Sequence, residues 1–253
     1  MHAVKVRNII IGEGVPKLCV PIVAKDDKEL LSALEKIVPK KPDIIEFRAD
    51  IYESFRNKVQ LMEALGTIRD NIGDIALLFT IRTAAEGGNA SIEADEYVEL
   101  CKYVCESGYA DLIDVEAYMR DEVLEELCGT AHNNNVYVVA SNHDFNRTPD
   151  ETVIVERLKS MYERGADISK IAVMPSCEED VIALLSATLK VNKEPDLGPV
   201  ITMSMGKMGM ISRLTGEIFG SAVTFASVGE ASAPGQIPIE DVRRIIGMFH
   251  DMN

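Results

Sequence analysis

The sequence predicts an α/β protein with the fold of a (β/α)8 TIM barrel. Eight short apolar runs alternate with amphipathic stretches of helical periodicity, the pattern of parallel strands joined by helices. These units occupy about 230 residues, a length typical of the barrel. A doubly wound open sheet is the alternative, but no G-x-G-x-x-G motif follows the first strand and no Walker-type phosphate-binding motif occurs.

The elements can be assigned in chain order. The predicted strands cover residues 17–23, 43–49, 74–82, 110–117, 135–141, 168–174, 199–205 and 223–228. The predicted helices cover residues 27–37, 57–72, 92–106, 121–132, 149–162, 178–191 and 239–250. An eighth helix must follow the seventh strand, and 207–215 is the only candidate, although Gly209 weakens this prediction. Residues 4–11 are predicted to form a short β-segment that caps the amino-terminal end of the barrel.

Composition limits the domain organisation and the classes of partner. The chain has 253 residues, of which 47% are hydrophobic, and it contains no linker, low-complexity tract or repeat, so we expect a single domain over residues 1–253. A net charge of −15 argues against nucleic acid or an anionic membrane as a partner. The sequence has no membrane-spanning apolar run, and its amino terminus lacks the apolar region of a signal peptide.

The five cysteines are consistent with a cytoplasmic protein. Their number is odd and their spacing is not that of paired metal ligands, so we expect all five to be reduced and no metal to be bound through them. We also expect a homodimeric assembly.

Lys170 is the unusual residue of the predicted strands. It lies in a run, residues 167–175, that is otherwise apolar and β-branched and is stopped by Pro175. Burial favours the neutral form of an amine, and a neutral amine is a nucleophile toward carbonyl carbon. The alternative is a lysine near a strand end that extends its ammonium group to water.

Polar side chains follow the other predicted strands at the end where barrel enzymes carry their active sites. Any one of them alone could be structural: a lumen charge can pair with a neighbouring strand, and His143 could be a structural histidine. Asp114 and Glu116 could orient the cationic residues or take part in chemistry. These strand-end residues are Glu46 and Arg48, Arg82 with Glu86, Asp114 and Glu116, His143 and Asp144, Arg213, and the loop 230–237, which is predicted to form a lid.

These segments resemble the type I 3-dehydroquinate dehydratase family. The resemblance covers nearly the whole chain and implies a (β/α)8 fold, a Schiff-base mechanism without metal or cofactor, and a place in the shikimate or quinate pathway. Periodicity and spacing support only the first of these. The most specific matches are Glu46-Phe47-Arg48-Ala49-Asp50, Thr80-Ile81-Arg82 with Glu86-Gly87-Gly88, Ser141-Asn142-His143-Asp144, Lys170-Ile171-Ala172, and Ser232-Ala233-Pro234-Gly235-Gln236.

The resemblance also implies a role for each site residue. The substrate would be a small carboxylate, a cyclic β-hydroxy ketone that is dehydrated to a conjugated enone. Lys170 would form the imine, His143 would carry protons, and Glu86 would orient His143. The carboxylate-binding set would be Arg213, Ser232 and Gln236. The set for the ring hydroxyls and the carbonyl would be Glu46, Arg48 and Arg82.

Other functions remain open from the sequence. A class I aldolase would also use a barrel lysine but would need a phosphate site after strands seven and eight. A non-enzymatic barrel that binds anions would retain its ligand without turnover. A metal hydrolase could be built from His143, Asp144, Asp114 and Glu116, although neither an H-E-x-x-H motif nor paired-histidine spacing supports it.

Overall fold

The computed structural model, which describes residues 2–229 and 232–251, contains a two-stranded hairpin followed by a curved parallel sheet. The hairpin strands are β1 (Val4–Val6) and β2 (Ile9–Ile11). Eight parallel strands then follow in chain order: β3 (Lys17–Ile22), β4 (Ile44–Arg48), β5 (Ala76–Thr80), β6 (Leu112–Glu116), β7 (Tyr137–Asp144), β8 (Ile168–Val173), β9 (Val200–Ser204) and β10 (Val223–Ser227). A short strand, β11 (Ile237–Pro238), pairs with the carboxyl end of β10. The predicted (β/α)8 fold is confirmed.

Helices connect the strands, as the periodicity predicts. They are α1 (Asp27–Ile37), α2 (Lys58–Ile72), α3 (Ala94–Ser107), α4 (Val123–Asn133), α5 (Glu151–Glu163), α6 (Glu178–Asn192), α7 (Met210–Leu214), α8 (Gly216–Phe219) and α9 (Ile239–His250). The bounds predicted for α1 and α9 are confirmed. Helix α1 begins where predicted because the Asp26 side chain accepts a 2.8 Å hydrogen bond from the backbone N–H of Glu29. None of the described helices is long and apolar enough to cross a membrane.

The helix predicted over residues 207–215 is wrong in its extent. The segment contains only the five-residue α7, and the four-residue α8 follows after Thr215. Gly209 explains the late start, because a Cβ at this position would lie 2.2 Å from the carbonyl oxygen of Ser204. The backbone therefore turns closely against the end of β9 before the helix begins.

The hairpin closes the amino-terminal end of the barrel, as predicted. Val4, Val6 and Ile11 are buried, and they belong to the apolar cluster inside the barrel. This cluster includes the first residues of four barrel strands: Ile44, Ala76, Leu112 and Ile168. A second cluster fills the space between the outer face of the sheet and the helices. The interior is thus apolar at one end, which leaves its polar residues at the carboxyl ends of the strands.

Polar side chains also join the barrel strands in pairs at their amino-terminal ends. The pairs are β3 with β4, β5 with β6, β7 with β8, and β9 with β10. In each pair, a side chain just before the later strand accepts a hydrogen bond from a backbone N–H of the earlier strand. Three of these residues are carboxylates and the fourth is a hydroxyl. The bonds run from Leu18 to Asp43 (2.8 Å), from Leu77 to Asp111 (2.8 Å), from Val138 to Asp167 (2.7 Å) and from Thr202 to Ser221 (3.0 Å).

The barrel closes between β9 and β10 with much less backbone pairing than its other strands have. A single parallel bridge joins Val200 to Ser221, and the backbone N–H of Ala222 donates to the oxygen of Val200 at 2.8 Å. In contrast, β7 and β8 pair continuously from Val139 with Ile168 to Asp144 with Val173. This long ladder carries His143 and Lys170 on adjacent strands.

Candidate active site

A cavity of 190 Å³ opens at the carboxyl ends of the barrel strands. This is the end that the sequence predicted to carry the site. All nine predicted site residues line the cavity: Glu46, Arg48, Arg82, Glu86, His143, Lys170, Arg213, Ser232 and Gln236. The fold therefore brings together residues from six barrel strands or the loops that follow them.

Lys170 lies at the bottom of this cavity, in the middle of β8. The residue is only 3% exposed, because the strand directs it into the barrel together with Ile168 and Ala172. Its Nζ donates to Asp114 Oδ2 at 2.9 Å and lies 4.6 Å from the ring centroid of Phe225. The alternative of a lysine that extends to water is wrong.

Asp114 is fixed between two cations. Lys170 contacts one carboxylate oxygen, and Arg82 Nη2 donates to the other at 2.6 Å. Burial would raise the pKa of Asp114, but the charges of Arg82 and Lys170 hold it well below its ordinary value. Asp114 therefore stays ionised and contacts both cations.

Arg82 is the centre of the buried charge network. Its Nη1 donates to Glu116 Oε1 at 2.9 Å and to Ser141 Oγ at 3.0 Å. Burial would lower the pKa of Arg82, but the charges of Asp114 and Glu116 outweigh it and raise the pKa. Glu116 also accepts from the backbone N–H of Thr83 at 2.8 Å, which ties the loop after β5 to β6.

His143 and Glu86 form a hydrogen-bonded pair beside Lys170. Oε2 of Glu86 lies 2.8 Å from Nδ1 of His143 and accepts from the backbone N–H of the same histidine at 2.9 Å. Burial, together with the charges of Arg82 and Lys170, lowers the pKa of His143 well below its ordinary value. Burial also raises the pKa of Glu86 to about 7, against the opposing charge of Arg82. His143 is thus a neutral imidazole at neutral pH.

Glu46 and Arg48 occupy the carboxyl end of β4. Glu46 is buried, accepts from Thr80 Oγ1 at 2.9 Å and lies 3.9 Å from Lys170 Nζ. Arg48 makes a two-point contact with Asp50, from Nε at 2.8 Å and from Nη2 at 2.9 Å. The fork of Arg48 is therefore held in place without a ligand.

Arg213 differs from the other arginines of the site because it has no carboxylate partner among the described residues. It is 2% exposed, and its Nη2 donates to the backbone oxygen of Pro234 at 3.1 Å. Its Nε is buried without a hydrogen-bond partner in that part of the chain. Burial lowers its pKa to about 10, so the guanidinium stays charged at neutral pH. Arg213 is thus a buried cation that no anion contacts among the described residues.

Ser232 and Gln236 lie in the loop after β10. The Gln236 amide bridges this loop, because its Oε1 accepts from the backbone N–H of Ser232 at 2.9 Å and its Nε2 donates to Ser232 Oγ at 3.0 Å. Pro234 accepts from the backbone N–H of Gly206 at 3.2 Å, which fastens the loop to the end of β9. Glu230 and Ala231, also part of the predicted lid, lie outside the described residues.

Known proteins resemble this chain over nearly its whole length. A family model described as type I 3-dehydroquinase matches residues 18–253. The chain belongs to the type I 3-dehydroquinase family. A 3-dehydroquinate dehydratase of Clostridioides difficile is 48% identical over 98% of this chain and 97% of its own length. One from Bacillus velezensis is 46% identical over 99% of both chains.

Solved structures give the same assignment. A crystal structure of a type I 3-dehydroquinate dehydratase from Clostridium difficile, with covalently modified comenic acid, has a TM-score of 0.97 to this chain. It is 47% identical and is matched over 100% of this chain and 99% of its own. The structure of a Geobacillus kaustophilus 3-dehydroquinate dehydratase has a TM-score of 0.95 at 39% identity, over 99% of this chain and 97% of that one.

Sequence reasoning missed part of the cavity wall of this type I 3-dehydroquinase. Met203, Met205, Phe145 and Phe225 also line the cavity, and none of them is among the predicted site residues. Phe225 could have been found, because the two-residue period of β10 places it on the interior face. Phe145 lies in a loop and gave no such signal. Within the described ranges, no group of three or more His, Cys, Asp or Glu side chains is arranged to hold a metal ion.

Proposed function

We propose that this protein dehydrates 3-dehydroquinate to 3-dehydroshikimate through a Schiff base on Lys170, as a step of the shikimate pathway. The observation that carries the proposal is one cavity that contains both a buried primary amine and a buried guanidinium whose Nε has no hydrogen-bond partner among the described residues. The amine suits a ketone, and the guanidinium suits a carboxylate. Membership of the type I 3-dehydroquinase family supports the same reaction.

Arg213 is the proposed anchor of the substrate carboxylate. Its unbonded Nε can complete a planar two-point contact with a carboxylate, and such contacts are the strong ones. Ser232 and Gln236 lie beside it on the loop that Pro234 holds against the guanidinium. The bound carboxylate would supply the anion that Arg213 lacks.

Lys170 is the proposed nucleophile. A neutral amine donates hydrogen bonds as an ammonium does, so the contact with Asp114 orients Nζ in either form. Attack of Nζ on the ketone carbon and loss of water give a protonated imine. The imine withdraws electrons from the neighbouring C–H bond and makes it acidic. The reaction therefore needs no metal or cofactor as an electron sink.

His143 is the proposed proton carrier. Its neutral ring can remove the proton next to the imine and return one to the departing β-hydroxyl group, which leaves as water. Glu86 holds the ring through Nδ1 and so directs the other nitrogen, Nε2, to this work. Hydrolysis of the imine then releases the enone and restores Lys170.

The remaining predicted residues are proposed to bind the ring hydroxyls and the carbonyl. Glu46 offers carboxylate oxygens next to Lys170, and Arg48 is fixed by Asp50 at the cavity wall. Arg82 also lines the cavity and has five N–H groups, more than its contacts with Glu86, Asp114, Glu116 and Ser141 require.

Two measurements test the proposal together. The purified protein should produce an ultraviolet-absorbing enone from 3-dehydroquinate, and borohydride added during turnover should leave a mass adduct on Lys170. Lys170→Met should lose both signals. Lys102→Met, which removes a lysine from a surface pair with Glu126, is the matched control and should keep both.

Each alternative function gives a different result in the same experiments. A class I aldolase would form an imine but would cleave a sugar phosphate and give no enone. A barrel that only binds anions would retain 3-dehydroquinate equally well after Lys170→Met. An adduct on another lysine would reject Lys170 as the nucleophile.

We also propose that the protein works in the cytoplasm as a homodimer of single-domain chains. All five cysteines are free and four are buried, which suits a reducing compartment. Ile211, Ile218 and Met248 are exposed apolar side chains on α7, α8 and α9, and α9 contacts both of the other helices, which favours self-association there. Sedimentation analysis tests the assembly: a single species with the mass of one chain would reject the dimer.

A further inference from the structure

A chain of hydrogen bonds runs from the outer face of the barrel to the His143–Glu86 pair. Arg157 on α5 donates from Nη1 to Oδ1 of Asn142 at 2.9 Å. Asn142 donates from Nδ2 to Oε1 of Glu86 at 3.1 Å. Oε2 of Glu86 lies 2.8 Å from Nδ1 of His143. No part of the proposed chemistry uses Arg157 or Asn142.

The direction of each bond follows from donor and acceptor chemistry. A guanidinium can only donate, so the Asn142 oxygen must face Arg157 and its NH2 group must face Glu86. Oε1 of Glu86 must then accept. Oε2 must accept as well, because the backbone N–H of His143 donates to it at 2.9 Å. While Glu86 is ionised, it can only accept, so Nδ1 of His143 must be the donor in their contact.

We propose that Arg157, acting through Asn142, is a positioning residue that keeps Glu86 a hydrogen-bond acceptor and thereby holds the proton of neutral His143 on Nδ1. The consequence is a free electron pair on Nε2, the nitrogen that the dehydration needs as a base. This inference rests on the proposed function only for that last step, because the position of the proton is a property of the ligand-free protein.

The pKa of Glu86 shows why this chain of hydrogen bonds matters. Burial, reinforced by the charge of Glu116 and opposed by that of Arg82, raises the pKa of Glu86 to about 7. A protonated Glu86 would donate to Nδ1 and move the histidine proton to Nε2, which removes the base. The charged groups that face Glu86 and His143 are Arg82 after β5, Asp114 and Glu116 on β6, Lys170 on β8 and Arg48 on β4.

Arg157 is held in place from the other side. Its guanidinium lies 5.9 Å from the ring centroid of Tyr118, and the Tyr118 hydroxyl donates to the backbone oxygen of Arg157 at 3.4 Å. Without Arg157, the Asn142 amide could turn over and present its oxygen to Glu86. That orientation would stabilise the protonated carboxyl instead of the carboxylate.

The decisive experiment measures the tautomer of His143 directly. The ¹⁵N chemical shifts of the imidazole ring distinguish a protonated nitrogen from an unprotonated one, and His143→Ala identifies this signal among the four histidines. We expect ligand-free protein at pH 8 to carry the proton on Nδ1. In Arg157→Met, the Nε2-protonated form should appear as the pH falls, about one pH unit higher than in the unaltered protein.

Kinetics supply a second readout. The acidic limb of the kcat profile should move up by about one pH unit in Arg157→Met, with KM little changed, so that kcat at pH 6 falls several-fold. Arg157→Lys keeps a donor and a charge and should restore the profile. Lys159→Met removes a cation from the same helix, where it pairs with Glu194, and should leave the profile unchanged.

A double substitution decides whether Arg157 acts through Asn142. Adding Arg157→Met to Asn142→Ala should produce no further shift of the acidic limb. Shifts that add independently would overturn the proposal, as would a His143 tautomer that Arg157→Met leaves unaltered at every pH. Failure of the proposed function would be seen separately. The protein would then form no enone from 3-dehydroquinate, but Arg157→Met would still shift the His143 tautomer as expected.

Discussion

Replacing Arg213 by methionine should separate catalysis from stability. A two-point contact with the substrate carboxylate contains two hydrogen bonds between charged groups, together worth about 3–5 kcal/mol. We therefore expect kcat/KM to fall by about 10²- to 10³-fold. Most of this loss should be in KM, because the carboxylate that Arg213 is proposed to bind does not react.

The stability of the same variant should not fall. Burial lowers the pKa of Arg213 from its ordinary value of 12.5 to about 10, which corresponds to a cost of about 3 kcal/mol for keeping the cation in the folded protein. A lowered pKa of a base means that this cost is fully present below pH 10 and disappears only as the pH rises above it. At neutral pH, Arg213→Met should unfold at the same temperature as the unaltered protein or at a higher one.

Arg82→Met is the matched control. Arg82 is about as buried but contacts Asp114 at 2.6 Å and Glu116 at 2.9 Å, so its removal leaves Asp114 with Lys170 alone and takes from Glu116 the cation that it contacts. This should cost about 3–5 kcal/mol and lower the melting temperature by about 10 °C. Thermal unfolding and the enone assay on both variants test the argument. If Arg213→Met is destabilised as strongly as Arg82→Met, or keeps normal kcat/KM, the assignment of Arg213 as an unpaired cation that awaits the carboxylate is refuted.

Three further outcomes are expected. His143→Ala should slow turnover greatly yet still allow borohydride to trap an adduct on Lys170, as mass spectrometry would show; near-normal turnover would remove His143 from the mechanism. Glu86→Gln should raise the melting temperature at pH 8 but not at pH 5. The raised pKa of Glu86 means that its charged form, present above about pH 7, destabilises the folded protein. An equal effect at both pH values would contradict this. Gln236→Ala should weaken both substrate binding and turnover. Bound ligand should also slow hydrogen exchange of the loop 232–237. Equal exchange with and without ligand would show that this loop is an ordinary surface connection.

The sequence predicted the barrel because its elements are locally determined. Alternating apolar runs and helical periods placed all eight barrel strands, and they gave the bounds of α1 and α9. The strand predicted over residues 135–141 is too short: β7 continues to Asp144 because His143 pairs with Ala172 and Asp144 with Val173. Only the neighbouring strand could reveal this extension. The short β11 strand was missed for the same reason.

The candidate site was predicted as a set of residues but not as a network. Strand ends identify which side chains share the open end of a barrel, and all nine meet in one cavity. The partners of each residue depend on the stagger between strands, which one sequence does not encode in any local pattern. The distinction between Arg82, surrounded by carboxylates, and Arg213, with none in the described chain, is therefore a finding of the structure.

Strand pairing differs between two sides of the barrel: it is sparse between β9 and β10 and continuous between β7 and β8. Three strand pairs are clamped at their amino-terminal ends by a carboxylate, but the pair that closes the circle has only the Ser221 hydroxyl and one backbone bridge. Arg213 follows β9, and the loop containing Pro234 follows β10, so both elements proposed to bind the carboxylate flank this seam. Lys170 and His143 lie on the continuous β7–β8 ladder. The residues proposed to bind the carboxylate therefore flank the least-paired pair of strands, whereas the amine and the imidazole share the continuously paired side of the barrel.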